Sequence, residues 1–172
     1  MKKILLVIDM QNDFIDGALG SADALSIVSD VAKRISEFDG EVIFTRDTHF
    51  ENYLSTSEGK KLPVKHCIKG SYGWQISEAL PIPEGARIFD KESFGSPELA
   101  KQLASENADS EISEIELVGL CTDICVISNA FLLKAYLPEC EIKVNSALCR
   151  GVTPDSHSNA LSAMAVCHIN IV

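Results

Sequence analysis

Apolar residues fall along this chain in two alternating rhythms. Ile4, Leu5, Leu6, Val7 and Ile8 form an unbroken run. Such a run marks a parallel strand buried on both faces, since a strand with one wet face would alternate. Further strands are predicted at residues 41–46, 87–90, 115–118, 141–144 and 169–172. Between them the apolar positions switch to helical spacing. Leu25, Val28, Val31, Ala32 and Ile35 share one face of a helix over 22–38, which Gly40 stops. Ser96-Pro97 opens a helix to about residue 104, with proline in the first helical position, and 107–111 reads as a polar loop. Val126, Ile127, Ala130 and Phe131 continue a helix toward Pro138, and Thr153-Pro154-Asp155 caps a last one through 166. A short helix is expected near 74–80. Residues 50–75 hold no long periodic segment, and a stretch of that kind in a compact protein is commonly functional. Strands alternating with helices imply an α/β protein, a parallel sheet covered on both faces.

The polar residues then acquire meaning from where the strands stop. Asp9, Asp47, Lys91 and Cys125 all stand at or just beyond the carboxyl ends of predicted strands, the edge at which open α/β sheets bind ligands. Cys125 is the nucleophile candidate. Gly119 permits a sharp turn, Thr122 and Asp123 are good helix N-caps, and a thiol in the first helical turn feels the positive helix end. That effect is worth up to about 2 kcal/mol, so it favours thiolate without guaranteeing it. A carboxylate beside the thiol could take its proton, and a lysine beside both could keep the carboxylate ionised; Asp9 and Lys91 suit those roles. None of the four histidines has an evident claim as the base. Asp47-Thr48-His49 places two ligand types two residues apart, on one side of an extended backbone. His66, in the long loop, adds a third donor for a metal site with open positions.

Composition narrows the field. A length of 172 residues with 46% hydrophobic content predicts one globular domain, 1–172. The net charge of −10 argues against nucleic-acid and anionic-membrane partners. No apolar run approaches a membrane span, and residues 4–8 are too short for a signal peptide before Asp9. Several of the six cysteines lie inside apolar patterns, as reduced cytoplasmic thiols do. Cys121 and Cys125 form C-x3-C, which is not the usual spacing of a zinc or redox pair.

The quoted segments resemble the isochorismatase-like cysteine hydrolases and, within them, the nicotinamidases. The motifs are Val7-Ile8-Asp9-Met10-Gln11-Asn12-Asp13-Phe14, Thr45-Arg46-Asp47-Thr48-His49, His66-Cys67-Ile68-Lys69-Gly70, the Lys91 strand end, and Gly119 through Val126. The resemblance covers nearly the whole chain. It implies a three-layer α/β/α fold with a six-stranded, mostly parallel sheet and an Asp9–Lys91–Cys125 triad. It also implies a cis peptide between Leu120 and Cys121, with the backbone N–H groups of Cys121 and Cys125 as an oxyanion hole. By the same resemblance Asp47, His49 and His66 bind one divalent metal, zinc first, iron or manganese otherwise, and a homo-oligomer is expected. Many nicotinamidases carry an aromatic residue three before the ligand histidine. This chain has Pro63 there, which gives the aromatic walls of the substrate pocket to Phe94 and, opposite, Phe14. The expected activity is hydrolysis of nicotinamide to nicotinate and ammonia through a Cys125 thioester. Two alternatives remain open: a related hydrolase of another small amide, ureide or carbamoyl substrate, and a non-catalytic binding protein that kept the fold.

Overall fold

A computed structural model describes all residues, 1–172. Six parallel strands run in the order β3-β2-β1-β4-β5-β6: β1 Lys2–Ile8, β2 Glu41–Asp47, β3 Arg87–Lys91, β4 Ile112–Leu120, β5 Glu141–Arg150 and β6 Asn170–Ile171. The unbroken apolar run falls on β1, at the centre, paired with β2 on one side and β4 on the other. Alternate residues of β1 serve opposite faces. Ile4, Leu6 and Ile8 meet α5 Pro97–Asp109 and α6 Ile127–Tyr136 through Leu99, Leu103, Ala130 and Leu133, together with Met164 of α7 Pro154–Val166. Leu5 and Val7 meet Ala24, Ile27, Val31 and Ile35 of the α2 Ala22–Ser26 and α3 Val28–Glu37 region. Each of the buried valine, leucine, isoleucine and methionine side chains among these contributes roughly 1.5–3 kcal/mol of apolar transfer. Chain order reverses between β1 and β4, so the carboxyl ends of those two strands flank the crevice where an open sheet binds ligands.

Beyond strands that run longer than expected, β4 from Ile112 to Leu120 and β5 to Arg150, three expected helices differ. The helix over 22–38 is broken at Ile27, where α2, capped by the Ser21 hydroxyl, ends and α3 begins. Leu25 therefore leaves the apolar face and is solvent exposed. Residues 74–80 are not helical, because their backbone is committed elsewhere. Asn12 N–H donates to the Gln75 carbonyl, Ser77 N–H donates to that of Met10, and Gln11 bridges Ile76 antiparallel. The α5 helix runs five residues past 104, into the segment read as a loop, and ends at Asp109.

Glu116 is a buried acid on β4. Arg34 of α3 and Asn145 of β5 both donate to it. Burial raises its pKa, but the hydrogen bond and charge of Arg34 outweigh that, so it lies below the usual 4.5. A depressed acid stabilises the fold above its unfolded pKa and loses that contribution as pH falls through the folded value. Glu116→Gln is expected to cost about 1–3 kcal/mol at neutral pH. In urea titrations the gap to the parent protein should close below about pH 4.5. A gap that widens in acid would mean Glu116 is not held as an anion.

No helix is long and apolar enough to cross a membrane.

Candidate active site

The chain leaves β1 through Asp9, whose φ of 47° lies in the left-handed region. That conformation is uncommon for a residue other than glycine and tolerated best by aspartate and asparagine. Thr45 on β2 fixes the side chain: its hydroxyl donates to Asp9 Oδ1 at 2.7 Å and accepts the Asp9 N–H at 3.2 Å. Beside it, Gly119 stands one residue before the end of β4, with φ of 119°. Any Cβ there would collide with the Ile8 carbonyl oxygen. Glycine thus lets the two strand ends close together just before the Cys125 turn. The Leu120–Cys121 peptide is cis, as the resemblance implied. A π-helical turn, Thr122–Val126, follows and leads into α6.

Three expected residues meet in this crevice. Lys91 Nζ lies 2.6 Å from Asp9 Oδ2 and 3.4 Å from Cys125 Sγ. All three side chains are almost wholly buried. Asp9 Oδ2 touches the ammonium yet accepts no aligned hydrogen bond, which leaves a lone pair for another proton. Burial pushes the Asp9 pKa up, and Asp47 adds to that; Lys91 opposes both. Lys91 itself remains an ammonium, because Asp9, Cys125 and Asp47 outweigh its burial and raise its pKa.

One expectation about the Cys125 turn needs correction. Thr122 and Asp123 do not cap the helix. The Thr122 hydroxyl bonds His157 Nδ1 at 2.8 Å, and the Asp123 carboxylate accepts the Val152 N–H at 3.1 and 3.2 Å. The helix end, as the sequence reading allowed, does not by itself give a resting thiolate. Burial and the Asp9 carboxylate push the Cys125 pKa well up, and Lys91 only partly offsets them. The thiol rests protonated and needs a neighbouring base.

The Asp47 group is assembled by backbone pairing. His49 N–H donates to the Cys67 carbonyl and Lys69 N–H to that of His49, so the loop carrying His66 is pinned alongside residues 47–49. Asp47 Oδ2 lies 2.9 Å from His49 Nε2 and 3.7 Å from His66 Nε2. Glu58 Oε1 is 3.5 and 3.7 Å from the same two nitrogens. His66 Nδ1 bonds the Val64 carbonyl at 2.8 Å; a proton on Nδ1 leaves Nε2 as a lone pair facing the carboxylates. His49 Nε2, buried at the centre of the group, makes no aligned hydrogen bond.

These observations fit a cation. A tetrahedral site with bonds of about 2.1 Å separates its donors by about 3.4 Å, and one ligand atom from each of the four residues falls within 4.8 Å of every other. Without a metal the group draws in a proton. Burial disfavours a charged His49, but Asp47 and Glu58 outweigh it and raise the imidazole pKa to about 9. Asp47 joins the two clusters, since its other oxygen, Oδ1, is 3.3 Å from Lys91 Nζ.

Both clusters open into one cavity of about 830 Å³, lined by Phe14, Phe94, Cys121 and Cys125 among others. The Cys121 N–H donates to no acceptor within the protein. Pro63 does not reach the cavity wall; Tyr53 and Leu62 hold that side.

Sequence reasoning missed three contributors. Glu58 gave only the faint signal of a carboxylate in the aperiodic loop. Gln11 stood inside a quoted motif without a role; its amide accepts the Asp47 N–H at 2.7 Å and donates to the Asp47 carbonyl at 2.9 Å, fixing that backbone. Asn129, one helical turn after Cys125, donates to the Cys125 and Phe94 carbonyls and accepts the Ser96 N–H. A polar residue on the buried face of an apolar helix was its signal.

A doubly wound parallel sheet with a buried aspartate–lysine–cysteine cluster at its switch point defines a class of α/β cysteine hydrolases. The isochorismatase domain model matches residues 3–171, and the chain belongs to the isochorismatase family. It is 29% identical to a nicotinamidase of Escherichia coli, an alignment covering 95% of this chain and 91% of that one. Its structure superposes on a pyrazinamidase of Pyrococcus horikoshii, crystallised in complex with zinc, with a TM-score of 0.86 and 27% identity over 100% and 99% of the two chains. A nicotinamidase of Bacillus subtilis gives a TM-score of 0.81 and 26% identity over 100% and 99%.

Proposed function

We propose that this protein is a metal-assisted cysteine amidohydrolase that converts nicotinamide to nicotinate and ammonia. The observation that carries the reading is the shared carboxylate. Asp47 touches Lys91 of the buried Asp9–Lys91–Cys125 cluster with one oxygen and the two imidazoles with the other. The nicotinamidases and pyrazinamidase to which the chain is similar support the choice of amide.

The chemistry follows from the resting protons. Asp9 Oδ2 accepts the Cys125 thiol proton as Sγ attacks the amide carbonyl, and Lys91 stabilises the charge passing between them. The N–H groups of Cys121 and Cys125 receive the oxyanion. Collapse breaks the C–N bond, and Asp9 returns its proton to the departing ammonia. Water, deprotonated by Asp9, then cleaves the thioester; nicotinate leaves and Cys125 regains its proton. Phe14 and Phe94 flank the ring. Asp47, His49 and His66, with Glu58, would hold one divalent ion, zinc first, iron or manganese otherwise. When bound, the ion supplies a Lewis-acid anchor for the pyridine nitrogen. The reading carries with it a cytoplasmic setting, a homo-oligomeric state and a small-molecule amide as the only partner.

Ammonia release from nicotinamide, against a panel of ureide and carbamoyl compounds and with metal content measured in parallel, tests the assignment. His49→Ala is expected to lose the ion and to weaken nicotinamide binding about 10- to 100-fold, while Cys125 remains alkylatable. Full nicotinamide turnover in metal-free His49→Ala would remove the metal from the reaction. A carbamoyl or ureide compound preferred over nicotinamide would reassign the substrate.

A further inference from the structure

The turn that carries Cys125 rests on the C-terminal part of the chain through two side chains. Thr122 stands at its head, wholly buried. The one side-chain partner of its hydroxyl is His157 Nδ1 at 2.8 Å. The next residue, Asp123, accepts the Val152 N–H with both carboxylate oxygens. His157 is itself held firmly. It lies in the first turn of α7, behind a reciprocal cap between Thr153 and Ser156. Gly151 packs against its backbone so closely that a Cβ there would stand 2.9 Å from the His157 Cα. Burial and the Arg150 cation push the imidazole pKa down, with Asp123 opposing, so the ring is neutral at neutral pH. Whichever atom carries the shared proton, the bond survives.

The two ends of the turn are secured differently. Cys125 is tied by Asn129 to its carbonyl and by Lys91 to its sulfur. The head keeps its own backbone bonds, from the Ile124 and Val126 N–H groups to the Cys121 carbonyl, and the side-chain tie next in sequence to the Cys121 N–H is that of Thr122. We propose that His157 is a positioning residue for hydrolysis: through Thr122 it sets the direction of the Cys121 N–H toward the oxyanion, without touching substrate. The proposal rests on the cysteine-hydrolase reading above. An interaction felt only in the transition state changes kcat and not KM.

The test compares His157→Ala, His157→Asn, Thr122→Val and the double variant His157→Ala/Thr122→Val. Each is assayed for nicotinamide turnover, for the acylation burst with p-nitrophenyl acetate and for the rate of Cys125 alkylation by iodoacetamide. His157→Ala and Thr122→Val should each slow the burst and kcat about 10- to 100-fold, with KM and alkylation unchanged. The double variant should lose no more than either single change. His157→Asn, whose carboxamide reaches the Nδ1 position, should recover most of the rate. A merely structural imidazole predicts otherwise. His157→Ala would then lower stability by stranding a buried hydroxyl, and the double variant, lacking that hydroxyl, would regain the wild-type burst. That recovery, an unchanged burst in His157→Ala, or alkylation slowed in step with acylation would overturn the proposal. If His157→Ala fails to fold, Thr122→Val and His157→Asn carry the same comparison. A parent protein that shows the burst but leaves nicotinamide intact sinks the nicotinamide assignment alone, and the burst still decides the role of His157.

Discussion

Cys125→Ala is expected to abolish amide hydrolysis, with a fall in kcat of about four orders of magnitude or more. A methyl group cannot form the thioester, and the environment offers no substitute. The other thiol of the cavity, Cys121, has its pKa pushed up to about 12 by burial, with Asp123 and Asp9 adding to it, and Lys91 contacts Cys125. Truncation at 125 removes one small buried side chain, so the fold should persist with a loss of about 1–2 kcal/mol. Cys121→Ala makes the control, because the role proposed for residue 121 uses only its backbone N–H. That variant should keep turnover within a few-fold of the parent. Mass spectrometry should find the acyl adduct on Cys125 in Cys121→Ala and no adduct in Cys125→Ala. Equal losses in the two variants, or turnover surviving in Cys125→Ala, would reject the nucleophile.

The sequence made the sheet readable because a central parallel strand has one solution: Ile4 to Ile8 must be covered on both faces. The strand-end chemistry was readable for a related reason. Asp9, Asp47, Lys91 and Cys125 are polar residues placed where a buried strand stops, and the topology brings those stops to one edge. Pairing that arises between distant loops was less visible. Residues 74–80 were read as a short helix in isolation, but their backbone groups pair with Met10 to Asn12, and nothing local records that. Glu58 reaches the imidazoles only because a short α4 helix, Ser57–Lys61, folds back under them. The resting protonation of Cys125 was left open for an electrostatic reason. A helix end can be inferred from sequence, but the desolvation that outweighs it depends on complete burial, which only the packed structure supplies.

Lys91→Met tests how the buried charges are balanced. The ammonium sits against three acceptors: Asp9 Oδ2 at 2.6 Å, Asp47 Oδ1 at 3.3 Å and Cys125 Sγ at 3.4 Å. Removing it leaves the buried Asp9 carboxylate without its cation, which should cost about 3–5 kcal/mol of stability. The kinetic consequence has a definite sign. Burial is the main cause raising the pKa of both Asp9 and Cys125, and Lys91 is the cation that lowers each of them. Without it both must rise further. Asp9 acts as base only when ionised, so the acid limb of the kcat/KM profile should move to higher pH, and acylation at neutral pH should slow about 100- to 10,000-fold. Lys91→Arg keeps a cation on a planar, bulkier group. It should restore much of the stability and return the acid limb toward the parent's position, while misplacing the charge relative to Sγ and leaving the acylation rate low. Pre-steady-state acylation across pH for both variants reads these effects separately from nicotinamide binding. An acid limb unmoved in Lys91→Met, or displaced to lower pH, would mean that Lys91 does not set the ionisation of Asp9.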